Sequence, residues 1–337
     1  MTSKLNLLKN CTENIGMRIN ARKSKFICVN GDTHPFTIDD MYIEHTRSYV
    51  YLGTPISSET IAKQVKQHLQ QKMPHMFKFI SFLNKHQDLP FCIKQQVWNS
   101  AIKSAIFYSC ETWLMTDYKQ AETIFMTTLK SMLGCRNTTC NEIVIAELQI
   151  SNAKGYIQQK QWQFISKLQR RHDYNDSYIE KIMKLAMQVK SPAGKLLEKM
   201  MALQSDPRTL MNNIINEKIL TATSSKRLAY KSINPDLKVH PMYSDPMICE
   251  AHRIATTRLR VGSHRLKIET GRWMRIPQEE RLCPCGAIQT EMHIPCNCPL
   301  TQQIRAKYCT KPKFCNMIQH IDLLHVHNTY NEQIHLL

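Results

Sequence analysis

A small group of cysteine and histidine residues near the C-terminus has the composition and spacing of a metal site. Cys283 and Cys285 are separated by one residue, His293 follows them, and Cys298 completes a His-x4-Cys pair. Three thiolates and one imidazole form a closed tetrahedral set of the kind that structural zinc prefers, with no position left for a substrate water. The pattern therefore predicts a site that stabilises a fold.

The spacing alone leaves other interpretations of this group open. One residue between Cys283 and Cys285 is fewer than the roughly two to four that usually separate paired ligands. Cys296 competes with Cys298 for the last ligand position. Reduced cysteines also pack in protein interiors as small apolar residues without any metal.

The segment that precedes the cysteines is strongly basic. Residues 252–281 contain eight Lys and Arg residues against three Glu residues, together with Trp273. Cationic side chains neutralise phosphate groups, and an aromatic ring can stack on an unpaired base. This segment therefore has the composition of a nucleic-acid-binding surface.

The charge of the whole chain indicates the same class of partner. The 337 residues carry a formal net charge of +18, and the isoelectric point is about 9.4. Such a field attracts phosphate chains and makes binding depend on salt, so the sequence predicts RNA or DNA as the partner. These observations leave the oligomeric state open.

Hydropathy and cysteine content bear on the compartment. No uninterrupted apolar run approaches the roughly twenty residues of a membrane-spanning helix, and the first residues lack the apolar core and cleavage site of a signal peptide. Thirteen cysteines, an odd number, favour thiols or metal ligands in a reducing compartment over disulfides. We therefore expect an intracellular protein, in the nucleus or the cytoplasm, with no membrane partner and no secretion.

Composition and apolar spacing predict a mainly α-helical fold with a small antiparallel β segment at the N-terminus. Nine glycines among many Lys, Gln, Leu, Met and Ala residues favour helix, whereas alternating residues before position 44 favour strands. From Ser58 onward the spacing is helical, as at Val65 and Leu69, and Pro74 is expected to interrupt this helix. We expect a helical bundle followed by a small zinc-stabilised C-terminal module.

The motifs of the C-terminal segment follow a particular order. They are Arg-x-Gly-Ser-His at 260–264, Glu-Thr-Gly-Arg-Trp at 269–273, Cys-x-Cys-Gly at 283–286, Glu-x-His at 291–293, Cys-Pro at 298–299 and a trailing Arg305. This order resembles the C-terminal end of the reverse transcriptases of non-LTR retrotransposons, of the long interspersed element (LINE) type.

The resemblance implies roles for these residues. In that family a Cys-Cys-His-Cys segment near the C-terminus is associated with nucleic-acid binding, which favours structural zinc at Cys283, Cys285, His293 and Cys298. The residues implied to contact nucleic acid are Arg258, Arg260, His264, Arg265, Lys267, Arg272, Trp273 and Arg305.

Two motifs nearer the N-terminus resemble parts of the same family. Asn20 and Lys23, followed by Ser24, match the Asn-x-x-Lys-Thr/Ser motif that closes the palm of these polymerases. The Tyr51-Leu52-Gly53 sequence resembles the hairpin that grips the primer. We therefore expect residues 1–57 to be the remnant of a palm.

The following segment resembles the family's thumb. Residues 105–113 are similar to an Ala-Leu-Tyr-Gly-x-Glu-x-Trp segment, with Ser109 and Cys110 near the family glycine. The candidate thumb contacts to a template-primer duplex are Lys94, Lys103, Lys119 and Lys130. The implied regions are a thumb-like domain over 58–150, a basic helical region over 151–203, a proline-marked irregular connector over 204–250, and a basic Cys/His module over 251–337.

The resemblance also implies that catalytic residues are missing. Reverse transcriptases hold two magnesium ions with aspartates, including a Phe/Tyr-x-Asp-Asp turn that precedes the Asn-x-x-Lys motif. Asp39 and Asp40 follow Lys23 instead, and Thr37 stands where the turn has an aromatic residue, so this pair is predicted to be a solvated turn.

We therefore expect a fragment that binds RNA or DNA without polymerising, with no catalytic residues and with magnesium only if a palm exists upstream. One alternative is the rear portion of an active RNA-directed DNA polymerase whose start lies upstream of Met1. Another is a decayed or host-adopted protein that acts as a scaffold.

Overall fold

The computed structural model describes residues 2–20, 22–29, 31, 33–34, 36–38, 41–114, 117–171, 177–303 and 306. The predicted nucleic-acid contact Arg305 lies outside the described residues, as do Asp39 and Asp40. Within the described part of the chain, no helix is both long enough and apolar enough to cross a membrane.

Most of the described chain is helical, which confirms the predicted fold class. The helices are α1 (Thr2–Asn14), α2 (Ile61–Lys85), α3 (Phe91–Val97), α4 (Ser104–Ile106), α5 (Lys119–Leu133), α6 (Asn141–Leu148), α7 (Ala153–Gln169), α8 (Tyr178–Gln188), α9 (Pro192–Met201), α10 (Pro207–Leu220), α11 (Ser225–Ile233), α12 (Glu250–Arg260) and α13 (Lys267–Trp273). A π-helical turn, Trp98–Lys103, joins α3 to α4.

The β structure is small and lies near the N-terminus, as predicted. The strands are β1 (Lys25–Phe26), β2 (Phe36–Ile38), β3 (Met41–His45), β4 (Ser48–Tyr51) and β5 (Thr54–Ser57). The β2–β3 and β4–β5 pairs are antiparallel, whereas β1 pairs with β3 in parallel. The strand β2 runs opposite to β3, and β3 runs in the same direction as β1. In the sheet, β3 therefore lies between β1 and β2, with a parallel neighbour on one side and an antiparallel neighbour on the other.

Helix α2 packs against α5 at the centre of the main core. Leu69 and Phe79 of α2 are buried there with Leu129 of α5, and Val65 joins them. The predicted apolar stripe of α2 is therefore confirmed. The expected interruption at Pro74 is wrong, because α2 continues through it to Lys85; proline removes one backbone donor, and burial on both sides of it holds the helix together.

The structure differs from the sequence prediction over residues 204–250. This segment, predicted to be an irregular connector, contains α10 and α11. Pro207 starts α10 instead of marking a loop, since Asp206 caps the helix by accepting the N–H of Arg208 at 3.0 Å. Ile219 of α10 and Tyr230 of α11 are buried in the main core, so the segment is part of the folded body.

One buried histidine in α2 has a strongly altered pKa. The ring of His68 packs against Trp113, with the centroids 5.3 Å apart, and only 1% of the residue is exposed. Neither ring nitrogen has a hydrogen-bond partner among the described residues. Burial, together with the charge of Lys72, lowers the pKa of His68 to about 4.

We expect this histidine to make the protein less stable at acidic pH. The unfolded chain protonates His68 near its ordinary pKa of about 6.5, whereas the folded chain does so only near pH 4. Stability that is complete above pH 6.5 is therefore lost progressively towards pH 4, by about 2 kcal/mol between pH 7 and pH 5. Urea unfolding of the wild type and of His68→Leu at both values measures this loss. Equal pH dependence in the two proteins would contradict the expectation.

Candidate metal centre and adjoining basic surface

Two tight backbone turns bring the four candidate ligands together. The first is a loop between the bridged residues Leu282 and Ile288, closed by a 2.7 Å hydrogen bond from the N–H of Cys283 to the carbonyl of Ala287. Gly286 occupies this loop with φ +90°, a conformation that favours glycine. Cys283 and Cys285 thereby lie at the same end of the loop.

The second turn is π-helical and spans His293–Asn297. The N–H of Cys298 donates to the carbonyl of His293 at 2.8 Å, so the two ends of the turn are bonded to each other. A π turn closes over five residues, which is the separation of His293 and Cys298 in the sequence. The His-x4-Cys spacing thus corresponds to a specific backbone turn.

The ligand atoms of Cys283, Cys285, His293 and Cys298 all lie within 4.8 Å of one another, so this cluster can hold a metal ion. The Sγ atom of Cys298 is 3.7 Å from that of Cys283 and 3.9 Å from that of Cys285. A tetrahedral ion with metal–sulfur bonds of about 2.3 Å separates its thiolates by about 3.8 Å. The observed distances match this value and far exceed the roughly 2.05 Å of a disulfide.

The histidine completes the cluster on the Cys285 side. Its Nε2 atom lies 3.2 Å from the Sγ atom of Cys285. The cluster contains Cys298 and not Cys296, which is partly buried among apolar residues nearby. Between the two alternatives for the last ligand position, the structure therefore selects Cys298, which is fully buried.

The thiols of the cluster differ in acidity. The backbone N–H of Ala287 donates to Cys285 and lowers the pKa of that thiol, whereas burial raises the pKa of Cys283 to about 11. Metal ions bind the thiolate, so binding must displace the proton of Cys283. Affinity for a metal should therefore increase with pH.

The cluster rests on an apolar core formed with neighbouring helices. Cys283 and Cys298 are buried together with Leu259 of α12, Ile268 of α13 and Ile233 of α11. Because Ile233 belongs to the predicted connector, this core joins the C-terminal module to a segment that the sequence assigned to another region. The two turns therefore dock on the helical body instead of extending away from it.

His264, predicted to contact nucleic acid, is buried beside this module. Its Nδ1 atom accepts the N–H of Leu266 at 3.2 Å, so Nε2 carries the proton and donates to Glu291 at 3.0 Å. Burial raises the pKa of Glu291, but the hydrogen bond from His264 opposes this, and the pKa lies below its ordinary value. His264 therefore fixes the segment that leads into His293.

Arg260, another predicted contact, is also placed in the interior. Its guanidinium forms a bidentate ion pair with Glu147 of α6, with Nε–Oε1 and Nη2–Oε2 distances of 2.5 and 3.0 Å. Arg260 is 2% exposed and Glu147 is fully buried. A nucleic acid does not reach this side chain, so its role in the structure is to join α12 to α6.

Four of the predicted contacts are exposed. They are Arg258, Arg265, Lys267 and Trp273, whereas Arg272 is partly buried in an ion pair with Glu269. Glu269 is itself buried and also pairs with Lys226 at 2.9 Å. The sequence thus identified a basic surface, and the structure divides its residues into exposed and internal ones.

Arg136, in the loop between α5 and α6, belongs to this surface although no sequence motif indicated a role for it. Its guanidinium carbon lies 4.0 Å from the ring centroid of Trp273. Burial lowers the pKa of Arg136 and Glu269 opposes this, while the nearby charges of Arg258 and Arg265 lower it further. We call Arg136, Arg258, Arg265 and Trp273 the Arg–Trp patch.

The palm-like residues lie in the N-terminal part. Asn20 accepts the backbone N–H of Lys23 on its side-chain oxygen at 3.1 Å, so the two form a local turn. Tyr51 is 59% exposed at the end of β4, and Gly53 forms the β4–β5 hairpin with φ +79°. A Cβ atom on Gly53 would lie 3.3 Å from Tyr108, which places the hairpin against the segment after α4.

The thumb-like lysines have different environments. Lys94 is buried and pairs with Glu250 at 2.7 Å, and Lys130 donates to the carbonyl of Asn137 at 2.7 Å. Lys119 is exposed at the start of α5, whereas Lys103 lies over two aromatic rings. A sequence pattern of lysines does not separate these cases, because partners such as Glu250 and Tyr156 are distant along the chain.

Comparisons of this chain with family models, with curated proteins and with solved structures found no match.

Proposed function

We propose that this protein is the C-terminal part of a non-LTR retrotransposon reverse transcriptase. In this proposal it binds RNA or DNA through the Arg–Trp patch, which lies next to a zinc-stabilised module. The observation that carries the proposal is the position of Arg136 over the exposed Trp273, with the charges of Arg258 and Arg265 close to Arg136. A cluster of arginines that includes an exposed indole favours a ligand with both phosphates and bases.

The patch offers two kinds of contact. Arginine guanidinium groups bind phosphate oxygens with paired N–H donors. Trp273 is 52% exposed and Arg136 lies over its ring, so an unpaired base can stack on the accessible part of the indole. Phosphate contacts supply affinity that does not depend on sequence. We therefore propose binding to RNA or DNA with exposed bases beside a backbone.

The donor set of the metal centre supports zinc. Three thiolates are soft ligands, and a Cys3His set with no open position is typical of structural zinc. When bound, zinc would cross-link the two turns and keep them docked on α12 and α13. The chain's own residues, not the metal, would make the contacts to nucleic acid.

The thiols support a reducing compartment. The cysteines among the described residues form no disulfides, and disulfides are rare in cytosolic and nuclear proteins. We propose that the protein acts in the nucleus or the cytoplasm, where its nucleic-acid partner is present.

We expect Arg265→Gln to weaken nucleic-acid binding and to reduce its dependence on salt. Each phosphate contact contributes about one to the slope of log K against log salt concentration, so the slope should fall by about one. Fluorescence anisotropy of the full chain with an RNA hairpin that carries a single-stranded tail, measured over a salt series, gives this slope.

Arg170→Gln is the matched control, since it removes an equal charge from an exposed position at the end of α7. Its slope should change less than that of Arg265→Gln. If both substitutions weaken binding equally, binding depends on the net charge of the protein and not on the patch. That result would overturn the role of the patch. No binding by the wild type would overturn the proposed function.

A further inference from the structure

A second surface feature shares no described residue with the Arg–Trp patch. It is a cavity of about 440 Å³ between the segment after α4 and helix α7. Ligand pockets typically have volumes of roughly 300 to 1,000 Å³, so its size suits a small ligand or one nucleotide. Its lining includes the aromatic residues Tyr108, Tyr156 and Phe164 and the lysines Lys160 and Lys167.

The aromatic residues are accessible to a ligand. Tyr108 is 48% exposed and Phe164 is 42% exposed, although both are large apolar side chains. Tyr156 packs against the buried Phe107 with ring centroids 5.6 Å apart, which fixes its orientation. The cavity thus combines a rigid aromatic wall with two exposed rings.

The charges at the cavity favour an anion. Lys160 and Lys167 are exposed on one side of α7. Lys103 lies beside them, with its ammonium 5.0 Å from the ring centroid of Tyr156 and 4.8 Å from that of Trp98. Burial, together with the charges of Arg208 and Lys160, lowers the pKa of Lys103 to about 8, so further cations lie close to this lysine.

Glu111 is the one carboxylate among the described residues that line the cavity. It lies on the loop side of the cavity, in the short helix Cys110–Thr112, whereas the lysines project from α7. A phosphate is repelled by Glu111 and attracted by Lys160 and Lys167, so it should lie along α7. The aromatic part of the ligand is then directed towards the interior of the cavity.

The backbone around the cavity has two unusual features. The π-helical turn Trp98–Lys103 ends directly before Ser104, which lines the cavity, and such turns occur frequently at functional sites. Ser109, also in the lining, has φ +61°, a left-handed conformation that is costly for a residue other than glycine. The family that this segment resembles has glycine near this position.

We propose that this cavity binds one unpaired nucleotide of a single-stranded nucleic acid, with its base stacked on Phe164 and Tyr108 and its phosphate on Lys160 and Lys167. The proposal rests on the proposed function, because it assumes that the protein binds nucleic acid. It adds a second contact site, separate from the Arg–Trp patch, and assigns that site to unpaired bases.

The β4–β5 hairpin lies next to the cavity. Tyr108, in the cavity lining, contacts the hairpin at Gly53. A strand whose base enters the cavity would therefore pass close to Tyr51, which is exposed at the same hairpin. The hairpin and the cavity together would form a continuous path for a single strand.

The test compares Phe164→Ala with wild type on three probes: a single-stranded oligonucleotide, an abasic oligonucleotide of equal length and charge, and a blunt duplex. Loss of one stacked base weakens single-strand binding by roughly tenfold. The abasic strand and the duplex offer no unpaired base, so their affinities should change less than twofold. Tyr178→Ala, which removes an exposed aromatic residue that also lies beside a lysine, is the matched control.

A second variant tests the cavity site independently, in case Phe164→Ala fails to fold. Lys160→Gln combined with Lys167→Gln leaves the aromatic wall intact and should lower the salt slope for the single strand by about 0.7, the value for one phosphate contact. Trp273→Ala separates this site from the Arg–Trp patch, since it should weaken binding of the tailed hairpin whether or not the cavity binds a nucleotide.

The outcomes are distinct. Selective weakening of the single strand by Phe164→Ala, with a reduced salt slope for the lysine variant, supports the cavity site. Unchanged single-strand affinity in both variants, while Trp273→Ala still weakens the hairpin, overturns the cavity site and leaves the proposed function intact. Equal losses in Phe164→Ala and Tyr178→Ala also overturn it. Failure of the wild type to bind any probe overturns both proposals.

Discussion

Cys298→Ser is expected to abolish metal binding, whereas Cys296→Ser is expected to leave it intact. The Sγ atom of Cys298 lies 3.7 and 3.9 Å from those of Cys283 and Cys285, and the cluster excludes Cys296. In zinc-finger peptides structural zinc contributes about 10–16 kcal/mol, which is comparable to the whole stability of a domain. Loss of the metal should therefore unfold residues 282–301 locally.

Metal content of the purified variants and hydrogen exchange across 282–301 measure this effect. A chelator should lower the melting temperature of the wild type and of Cys296→Ser, but should not affect Cys298→Ser, which has no metal to lose. This comparison separates the loss of metal from the loss of a buried side chain. The metal site would be disproved by a wild type that contains no metal and whose melting temperature does not respond to added zinc.

Glu147→Gln is expected to destabilise the whole protein by about 3–5 kcal/mol, because it leaves the buried guanidinium of Arg260 without its counter-charge. Glu147 also accepts hydrogen bonds from Tyr230 at 2.9 Å and from Tyr243 at 3.0 Å. Burial and the charge of Glu147 raise the pKa of both tyrosines well above 10, so both are neutral donors to Glu147 in the wild type. Urea unfolding at neutral pH gives the change in free energy.

The double substitution Glu147→Leu with Arg260→Met provides the control. Replacing both partners of a buried ion pair by apolar residues is often close to neutral, so the double variant should recover much of the stability lost in Glu147→Gln. Tyr230→Phe removes one neutral donor and should cost about 1 kcal/mol. A loss below about 1 kcal/mol in Glu147→Gln would show that Arg260 finds another partner or water, contrary to the arrangement described here.

This network explains why the domain boundaries implied by the sequence are difficult to see in the structure. Glu147 comes from the thumb-like region, Tyr230 and Tyr243 from the predicted connector, and Arg260 from the Cys/His module. Residues such as proline indicate where local structure changes along the chain. They do not indicate which side chains more than eighty residues apart form hydrogen bonds with one another. Asp206 and Pro207 begin helix α10. Because α10 packs in the main core, residues 204–250 belong to the folded body of the protein.

Local structure was largely predictable. The apolar stripe with Val65 and Leu69 correctly indicated α2, since helical spacing places such residues on one face. The strands predicted before position 44 were also found there, as in the β2–β3 pair, because alternation and short turns act over a few residues. The course of α2 through Pro74 was not predictable, since tertiary packing there outweighs the local preference.

The four candidate ligands could be identified from residue type and order, but the spacing left Cys296 and Cys298 as alternatives. The π turn His293–Asn297 decided between them, because its closing hydrogen bond places Cys298 directly beside His293. Similarly, the basic residues of α12 look equivalent in sequence. The helix presents Arg258 to solvent and Arg260, two positions later, to Glu147.

By itself, the sequence determined the helical class, the positive charge of the protein and the set of residues capable of binding a metal, since these depend on composition and on contacts within a few residues. The tertiary structure decided which cations remain exposed, which cysteine completes the cluster, and that Arg136 joins Trp273 at the surface. These features depend on long-range packing, because the environment of a charged side chain is set by partners that are distant along the chain.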